Sequence, residues 1–344
     1  MTTIALGSCA LGRAIDCDGA PLDGGPRLDG ARFPATPRVP LPNEREAIAV
    51  PLWTGVRAID ALLTIGRGAR VGIFGAPGCG KSTLLETIVD GCAADAVVVA
   101  LAGERGREAG HWIDRRDART SIVCATSDRP AAERIACATL AFAQAAALRA
   151  RGLHVLLVLD SLARFAYALR ERAIATGERV GRAGYPPSVF AAMAHFVEVA
   201  GPLSAGSITL VATVLSDGDE RDPVSDAARS LLDGHVALSE RLARAGRFPA
   251  IDVPASASRT MGAIVPSAHA AHAARVRAAI AALDRFEDAR ALGIEPSGGQ
   301  ARAALDAEAG LERFLRQDER PADPARTVAW LGELADTLGV SDGH

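Results

Sequence analysis

The sequence predicts an α/β protein, a mainly parallel sheet covered by helices on both faces and followed by a small helical domain. Three observations carry this. Apolar runs at 69–74, 96–102, 121–125, 153–159 and 207–215, with a weaker one at 234–238, alternate with amphipathic helical stretches at 82–93, 131–150, 162–176 and 188–200. The runs are apolar at nearly every residue rather than at every second one, as strands buried on both faces require. After about residue 266 the strand pattern stops. The chain becomes rich in Ala, Leu, Arg and Glu, with helices expected near 268–292, 300–316 and 324–338 and breaks at Pro296, Ser297, Gly298, Gly299 and Pro321.

In chain order, residues 1–50 are rich in Gly, Pro and Asp. The breakers Pro21, Gly24, Gly25, Pro26, Pro34, Pro37, Pro40 and Pro42 make 18–45 an extended linker without a core of its own. The compact part opens at Pro51-Leu52-Trp53-Thr54-Gly55. The expected domains are therefore 1–50, 51–265 and 266–344.

The first strand of the compact part, Val71-Gly72-Ile73-Phe74, runs into Gly75-Ala76-Pro77-Gly78-Cys79-Gly80-Lys81-Ser82-Thr83, and Leu84, Leu85, Ile88 and Val89 follow at helical spacing. This is the pattern G-x-x-x-x-G-K-[ST] between a strand and a helix, a phosphate-binding loop. The glycines let successive N–H groups turn toward phosphate oxygens, and the new helix adds its positive end. Lys81 would reach the β- and γ-phosphates, and the Ser82 hydroxyl would bind Mg²⁺. Lys81 is also the only lysine; every other cation among the 38 Lys and Arg is arginine. A compact ammonium on a thin stem fits inside a loop wrapped around phosphate, and a planar fork does not.

Composition narrows the function classes. A net charge of −3 gives no footprint for nucleic-acid binding, and 4% aromatic residues provide few stacking platforms. The six cysteines form no C-x-x-C pair and lie mostly in apolar stretches, as reduced thiols of a cytosolic protein do. No apolar run approaches the ~18 residues of a membrane span, and the N-terminus lacks the basic start of a signal peptide.

Two further strand ends carry chemistry. Leu156-Leu157-Val158-Leu159-Asp160 ends in a carboxylate, the acid that holds Mg²⁺ through its water shell in phosphate-loop enzymes. The alternative is a simple helix cap, since Asp160-Ser161 precedes a helix. Ala102-Gly103-Glu104-Arg105-Gly106-Arg107-Glu108 follows the strand 96–101, where Glu104 is placed to orient and polarise a hydrolytic water. The alternative there is a solvated charged loop.

Gly-Glu-Arg-Gly-Arg-Glu at 103–108 is similar to the signature of the type III secretion ATPases, the hexamers of injectisomes and flagella related to the catalytic subunit of the rotary ATP synthase. Further stretches agree: Ala125-Thr126-Ser127-Asp128-Arg129-Pro130, Asp160-Ser161-Leu162-Ala163-Arg164-Phe165, Gly184-Tyr185-Pro186-Pro187, and Leu232-Asp233-Gly234-His235 before Phe248-Pro249-Ala250-Ile251-Asp252-Val253. The resemblance runs from about residue 6 to 320 and leans toward injectisome members through Ala-Pro-Gly-Cys-Gly-Lys-Ser-Thr. It implies a RecA-like core, ATP and Mg²⁺ as ligands, and a homohexamer at the cytoplasmic face of the bacterial inner membrane. The implied partners are a central stalk, stator proteins and export chaperone–effector complexes. By the same resemblance Glu104 is the water-activating base, with Arg105 and Glu108 beside it near γ-phosphate and Mg²⁺. Arg164 contacts γ-phosphate, Phe248 stacks on adenine where the family has Tyr, and Arg259 is the arginine finger that reaches the neighbouring subunit.

The chain departs from the family pattern in three places. Residues 6–22 resemble only the last strand and turn of the family's N-terminal β-barrel, so a mostly monomeric, slow chain is expected. The segment 111–119 is short. The family's Gly-Glu-Tyr stretch appears as Gly293-Ile294-Glu295-Pro296, which removes a second ring near adenine. Two other classes stand beside the enzyme. One is an inactive accessory subunit, against which Glu104 argues. The other is an RNA-translocating hexamer, against which the acidic balance argues.

Overall fold

The strands Ala96–Ala102, Thr120–Ala125 and His154–Asp160 are buried at every residue, the outcome their unbroken apolar runs demand. In the computed structural model, which describes residues 2–216, 222–291 and 299–339, the chain forms two units that interleave along the sequence. One comprises residues up to 48, 67–74 and 94–233; the other comprises 49–66, 75–93 and 234 onward.

The first unit carries the sheet. Its strands run in the order Arg70–Gly75, Gly206–Leu215, His154–Asp160, Ala96–Ala102, Thr120–Ala125 and Ala14–Ile15. The pairings from Gly206–Leu215 through to Ala14–Ile15 are parallel. The register aligns Leu101 with Asp160 and Ala102 with Ala125, so the carboxyl ends of three strands come out level. That alignment brings Glu104, just past one strand, next to Asp160 at the tip of another.

The helix Ala131–Arg149 lies on this sheet through Ile135, Ala138, Phe142, Ala145 and Leu148, which recur every three or four residues and are buried. Phe196 meets Phe142 and Phe165 at ring-centroid distances of 5.5 and 5.1 Å. Each buried ring contributes on the order of 2 kcal/mol by its removal from water.

The region expected as a linker is extended but docked. Ala14–Ile15 joins the sheet edge, Thr3–Ala5 pairs antiparallel with Arg32–Pro34, and Leu28, Phe33, Ala35 and Val39 pack against the sheet's core. Gln144, fully buried, fixes this segment. Its Oε1 accepts from the Gly7 N–H at 2.6 Å, and its Nε2 donates to the Gly7 carbonyl at 2.9 Å.

The second unit contains the phosphate loop with the helix Lys81–Gly91, and the antiparallel pair Gly234–Leu238 with Ile251–Ser258. The latter strand was not expected from the sequence, because Pro254 interrupts it; proline is tolerated where its missing N–H faces no partner. The C-terminal helices are Ser267–Ala291, Gly299–Asp306, Glu308–Leu315 and Pro324–Thr337. The single helix expected over 300–316 is thus two, divided at Ala307. The Gly293-Ile294-Glu295-Pro296 stretch and the break at 296–298 lie outside the described residues.

Candidate active site

The phosphate loop turns through two left-handed positions, Gly78 at φ +85° and Gly80 at φ +87°. Nothing lies within 4 Å of a Cβ built on Gly78, so glycine is required there for backbone conformation and not for room. Gly80 caps the helix Lys81–Gly91, whose first-turn N–H groups have no carbonyl partner within the helix and form the anion-binding end. The Lys81 ammonium folds back over the loop and donates to the carbonyls of Gly75 and Ala76, each at 2.7 Å. Cys79 is buried beneath the loop, and Ser82 and Thr83 are exposed on the first helical turn.

Beside the helix's first turns opens a cleft of about 710 Å³, within the range of small-molecule sites. Val56, Gly80, Thr83, Leu84, Phe248 and Gln317 are among its lining residues. The Phe248 ring is 47% exposed there, with its edge 3.7 Å from a Cβ built on Gly80. An aromatic face left open beside a phosphate loop is suited to stacking a purine. The sequence reading singled out Phe248 but missed Val56, Thr87 and the run Gln317, Asp318, Glu319 and Arg320, which also line the cleft. The only local signal for that run was its position just before Pro321.

Arg259 directly follows the strand Ile251–Ser258 on an exposed corner. Ser258 fixes the corner: its Oγ donates to the Thr64 carbonyl at 2.8 Å and accepts from the Met261 N–H at 3.2 Å.

In the sheet-bearing unit, Glu104 is only 4% exposed. Its Oε1 lies 3.0 Å from Arg164 Nε, and Arg164 also donates to the Gly103 carbonyl. The loop is tied to its neighbour by Gly103 N–H to Ala125 O at 2.7 Å and Ser127 N–H to Glu104 O at 2.9 Å. Burial and the nearby Asp160 charge push the Glu104 carboxyl up to about 8, while Arg164 pulls it down and Glu108, hydrogen-bonded to it, adds to the rise. A carboxyl raised that far can exchange a proton near neutral pH.

Asp160 does not serve as the helix cap. Ser161 takes that role, its Oγ accepting from the Arg164 N–H at 3.2 Å. The Asp160 carboxylate instead accepts from Thr213 Oγ at 2.6 Å, which fixes its orientation.

The charged stretch after Glu104 is not a loop but opens the helix Gly106–Arg115, buried through Ala109 and Trp112. Glu108 sits in the first turn, where the helix dipole favours a carboxylate. Arg105, just before the helix, is exposed and lies 4.0 Å from Glu108. The structure therefore brings Glu104, Asp160, Arg164 and Glu108 together in one unit and leaves Arg105 at the surface. In the other unit it gathers Gly75, Pro77, Gly78, Cys79, Gly80, Lys81, Ser82, Thr83 and Phe248 around loop and cleft.

Among the described residues no three His, Cys, Asp or Glu side chains form a metal cage. Magnesium in nucleotide sites needs none, since it keeps waters and takes one or two protein oxygens with the phosphates. The exposed Ser82 hydroxyl and the oriented Asp160 carboxylate are hard oxygen donors of that kind.

Residues 55–258 match the nucleotide-binding domain of the ATP synthase alpha/beta family. A type 3 secretion system ATPase of Sinorhizobium fredii is 44% identical, covering 97% of this chain and 76% of that one. The flagellum-specific ATP synthase of Salmonella typhimurium is 43% identical, over 91% and 71% of the two chains. The assembled ATPase EscN from the type III secretion system of enteropathogenic E. coli superposes with a TM-score of 0.92 at 39% identity, over 97% and 83% of the two chains.

Proposed function

Since the chain belongs to the type III secretion ATPases, within the ATP synthase alpha/beta family, we propose roles for its site residues in the hydrolysis of Mg-ATP. The protein is an ATP-hydrolysing phosphate-loop enzyme that energises type III secretion. What is proposed is the division of labour.

Glu104 takes a proton from the attacking water as its oxygen bonds to the γ-phosphorus. The bond to the bridging oxygen breaks, and ADP and phosphate leave. Lys81 and the loop N–H groups hold the β- and γ-phosphate oxygens, and Arg164 neutralises charge on the γ-phosphoryl group. Phe248 stacks on adenine. Bound Mg²⁺ neutralises phosphate charge; Ser82 would hold it directly, and Asp160 and Glu108 through water. The buried Glu104 with its Arg164 partner is the observation that carries this reading, because a merely solvated charged loop has no reason to bury a carboxylate.

Arg259 acts in trans within a homohexamer, supported by its exposed corner and by the likeness to EscN in its assembled form. EscN is also known in complex with its central stalk EscO. A stalk of that kind, stator proteins and export chaperone–effector complexes are the proposed partners, and chaperone release and substrate unfolding the proposed work. No described helix is long and apolar enough to cross a membrane. Attachment to the inner membrane's cytoplasmic face through partners is part of the proposal.

Flagellar export is the second reading, favoured by a flagellar relative within one percentage point of the injectisome one. Mixing Arg259→Ala with Glu104→Gln chains tests the trans role. Some junctions in the mixture then have both groups, and phosphate release should reappear. A mixture that stays inactive while mixed assemblies form refutes it.

A further inference from the structure

The cleft beside the phosphate loop has two walls that come from segments far apart in sequence, Val56 and Phe248. Both are tied to one residue. Gln317 Nε2 donates to the Gly55 carbonyl at 2.7 Å, and Gln317 Oε1 accepts from the Arg57 N–H at 2.9 Å. These bonds grip the backbone on either side of Val56. The backbone N–H of Gln317 donates to the Phe248 carbonyl at 2.9 Å. The second Nε2 hydrogen goes to the Arg320 carbonyl at 2.8 Å, which folds the run 317–320 onto the same cleft.

Both N–H donors and the carbonyl oxygen of the amide are thus bonded, and its orientation is fixed by that pattern. Nearby, Gly55 holds φ +77°, and a Cβ there would fall 2.7 Å from Pro321 Cβ, so the gripped segment sits hard against the chain that follows Gln317.

The geometry points to Gln317 as a positioning residue for the nucleotide base: it sets the spacing of the Val56 and Phe248 walls without being part of the phosphate loop. This rests on the reading of the cleft as the site where the base stacks. Its consequence is a separation of effects. Loss of the Gln317 side-chain bonds releases the Val56 wall while the backbone bond to Phe248 remains, so the spacing between the walls loosens and base recognition weakens, and the loop's grip on phosphate and the chemistry at Glu104 stay intact.

The test compares Gln317→Met, which keeps volume and removes all three side-chain bonds, with Gln317→Glu and Phe248→Ala. Gln317→Glu keeps the acceptor for Arg57 N–H but sets a carboxylate oxygen against the Gly55 and Arg320 carbonyls. Steady-state hydrolysis gives KM and kcat for ATP. Inorganic tripolyphosphate, which has no base, serves as a competitive inhibitor.

Gln317→Met should raise KM for ATP roughly fivefold to tenfold, the effect of losing one or two net hydrogen bonds, with kcat within about twofold of wild type. Inhibition by tripolyphosphate should be unchanged. Gln317→Glu should raise KM at least as much. If Phe248→Ala raises KM but neither Gln317 variant does, the positioning role is overturned and the cleft reading stands. If Phe248→Ala also leaves KM unchanged, the cleft is not the base site and both fall. Should tripolyphosphate inhibition weaken in step with ATP in Gln317→Met, the residue supports the unit as a whole, and the inference is overturned.

Discussion

Replacing Lys81 by arginine keeps the charge and changes only its shape, so it separates two explanations of why one lysine survives in a chain that otherwise uses arginine. The ammonium sits 2.7 Å from both the Gly75 and the Ala76 carbonyl oxygens, inside the turn made by Gly78 and Gly80. Charge-assisted bonds of this length are worth about 1.5–3 kcal/mol each. A guanidinium is wider and planar, and inside that turn it would have to displace the loop or point away from it. Losing one such bond to the γ-phosphoryl group in the transition state slows turnover roughly tenfold to a hundredfold. The assay is steady-state phosphate release at saturating Mg-ATP and equal protein concentration, with a melting curve as control. Loss of the two carbonyl bonds should lower the melting temperature, so the curve serves to show that the variant is folded at the assay temperature. Activity above a tenth of wild type would refute the argument from shape and leave charge alone as the requirement.

Three other outcomes follow from individual side chains. Arg164→Ala removes the cation that favours the ionised Glu104, so that carboxyl should move further above its present value of about 8; kcat/KM should fall near neutral pH and recover in part toward alkaline pH, and a uniform loss at all pH values would count against the pairing. His154 is buried with its Nδ1 bonded to Ser207 Oγ at 2.6 Å, and burial, with Arg67 nearby, lowers its pKa to about 4. It binds a proton less readily folded than unfolded, so its contribution is complete above about pH 6.5 and fades as pH falls toward about 4. Between about pH 7 and about pH 5, urea unfolding should show wild type losing about 2 kcal/mol more than His154→Asn, and equal losses would contradict this. Asp60 has the opposite sign. Burial raises its carboxyl to about 7 against the donors Thr54 N–H, Thr54 Oγ and Gly55 N–H, so its contribution is greatest below about pH 4 and declines as pH rises to about 7. Asp60→Asn should therefore lose more stability on acidification than wild type does, in the same unfolding assay.

The parts of this site that can be read from the sequence are those whose chemistry is local. The phosphate loop is a contiguous run between a strand and a helix, and Asp160 and Glu104 each stand at the end of an apolar run, so strand prediction alone puts them at one edge of a parallel sheet. The Glu104–Arg164 ion pair is not local. It joins residues on different elements, and only the register that levels Leu101 with Asp160 makes it. Gln317 is less legible still, since its partners Gly55 and Arg57 are some 260 residues away and are backbone groups that leave no mark on side-chain pattern. The strand Ile251–Ser258 was hidden by Pro254, and the helix Gly106–Arg115 by its glycines and its charge, although Ala109 and Trp112 carry the buried face. The interleaving of the two units is invisible for a different reason. Phe74 and Gly75, adjacent on one strand, fall in different units.

The central claim is that Glu104, buried and paired with Arg164, is the base of an ATP-hydrolysing site. Glu104→Gln preserves size and hydrogen bonding but cannot accept the proton. The most direct measurement is phosphate release by this variant at saturating Mg-ATP, alongside a nucleotide titration on the same sample. The account predicts nucleotide affinity near wild type and turnover reduced at least about a hundredfold, the usual contribution of a positioned base. Turnover within about a tenth of wild type, with binding intact, would contradict it.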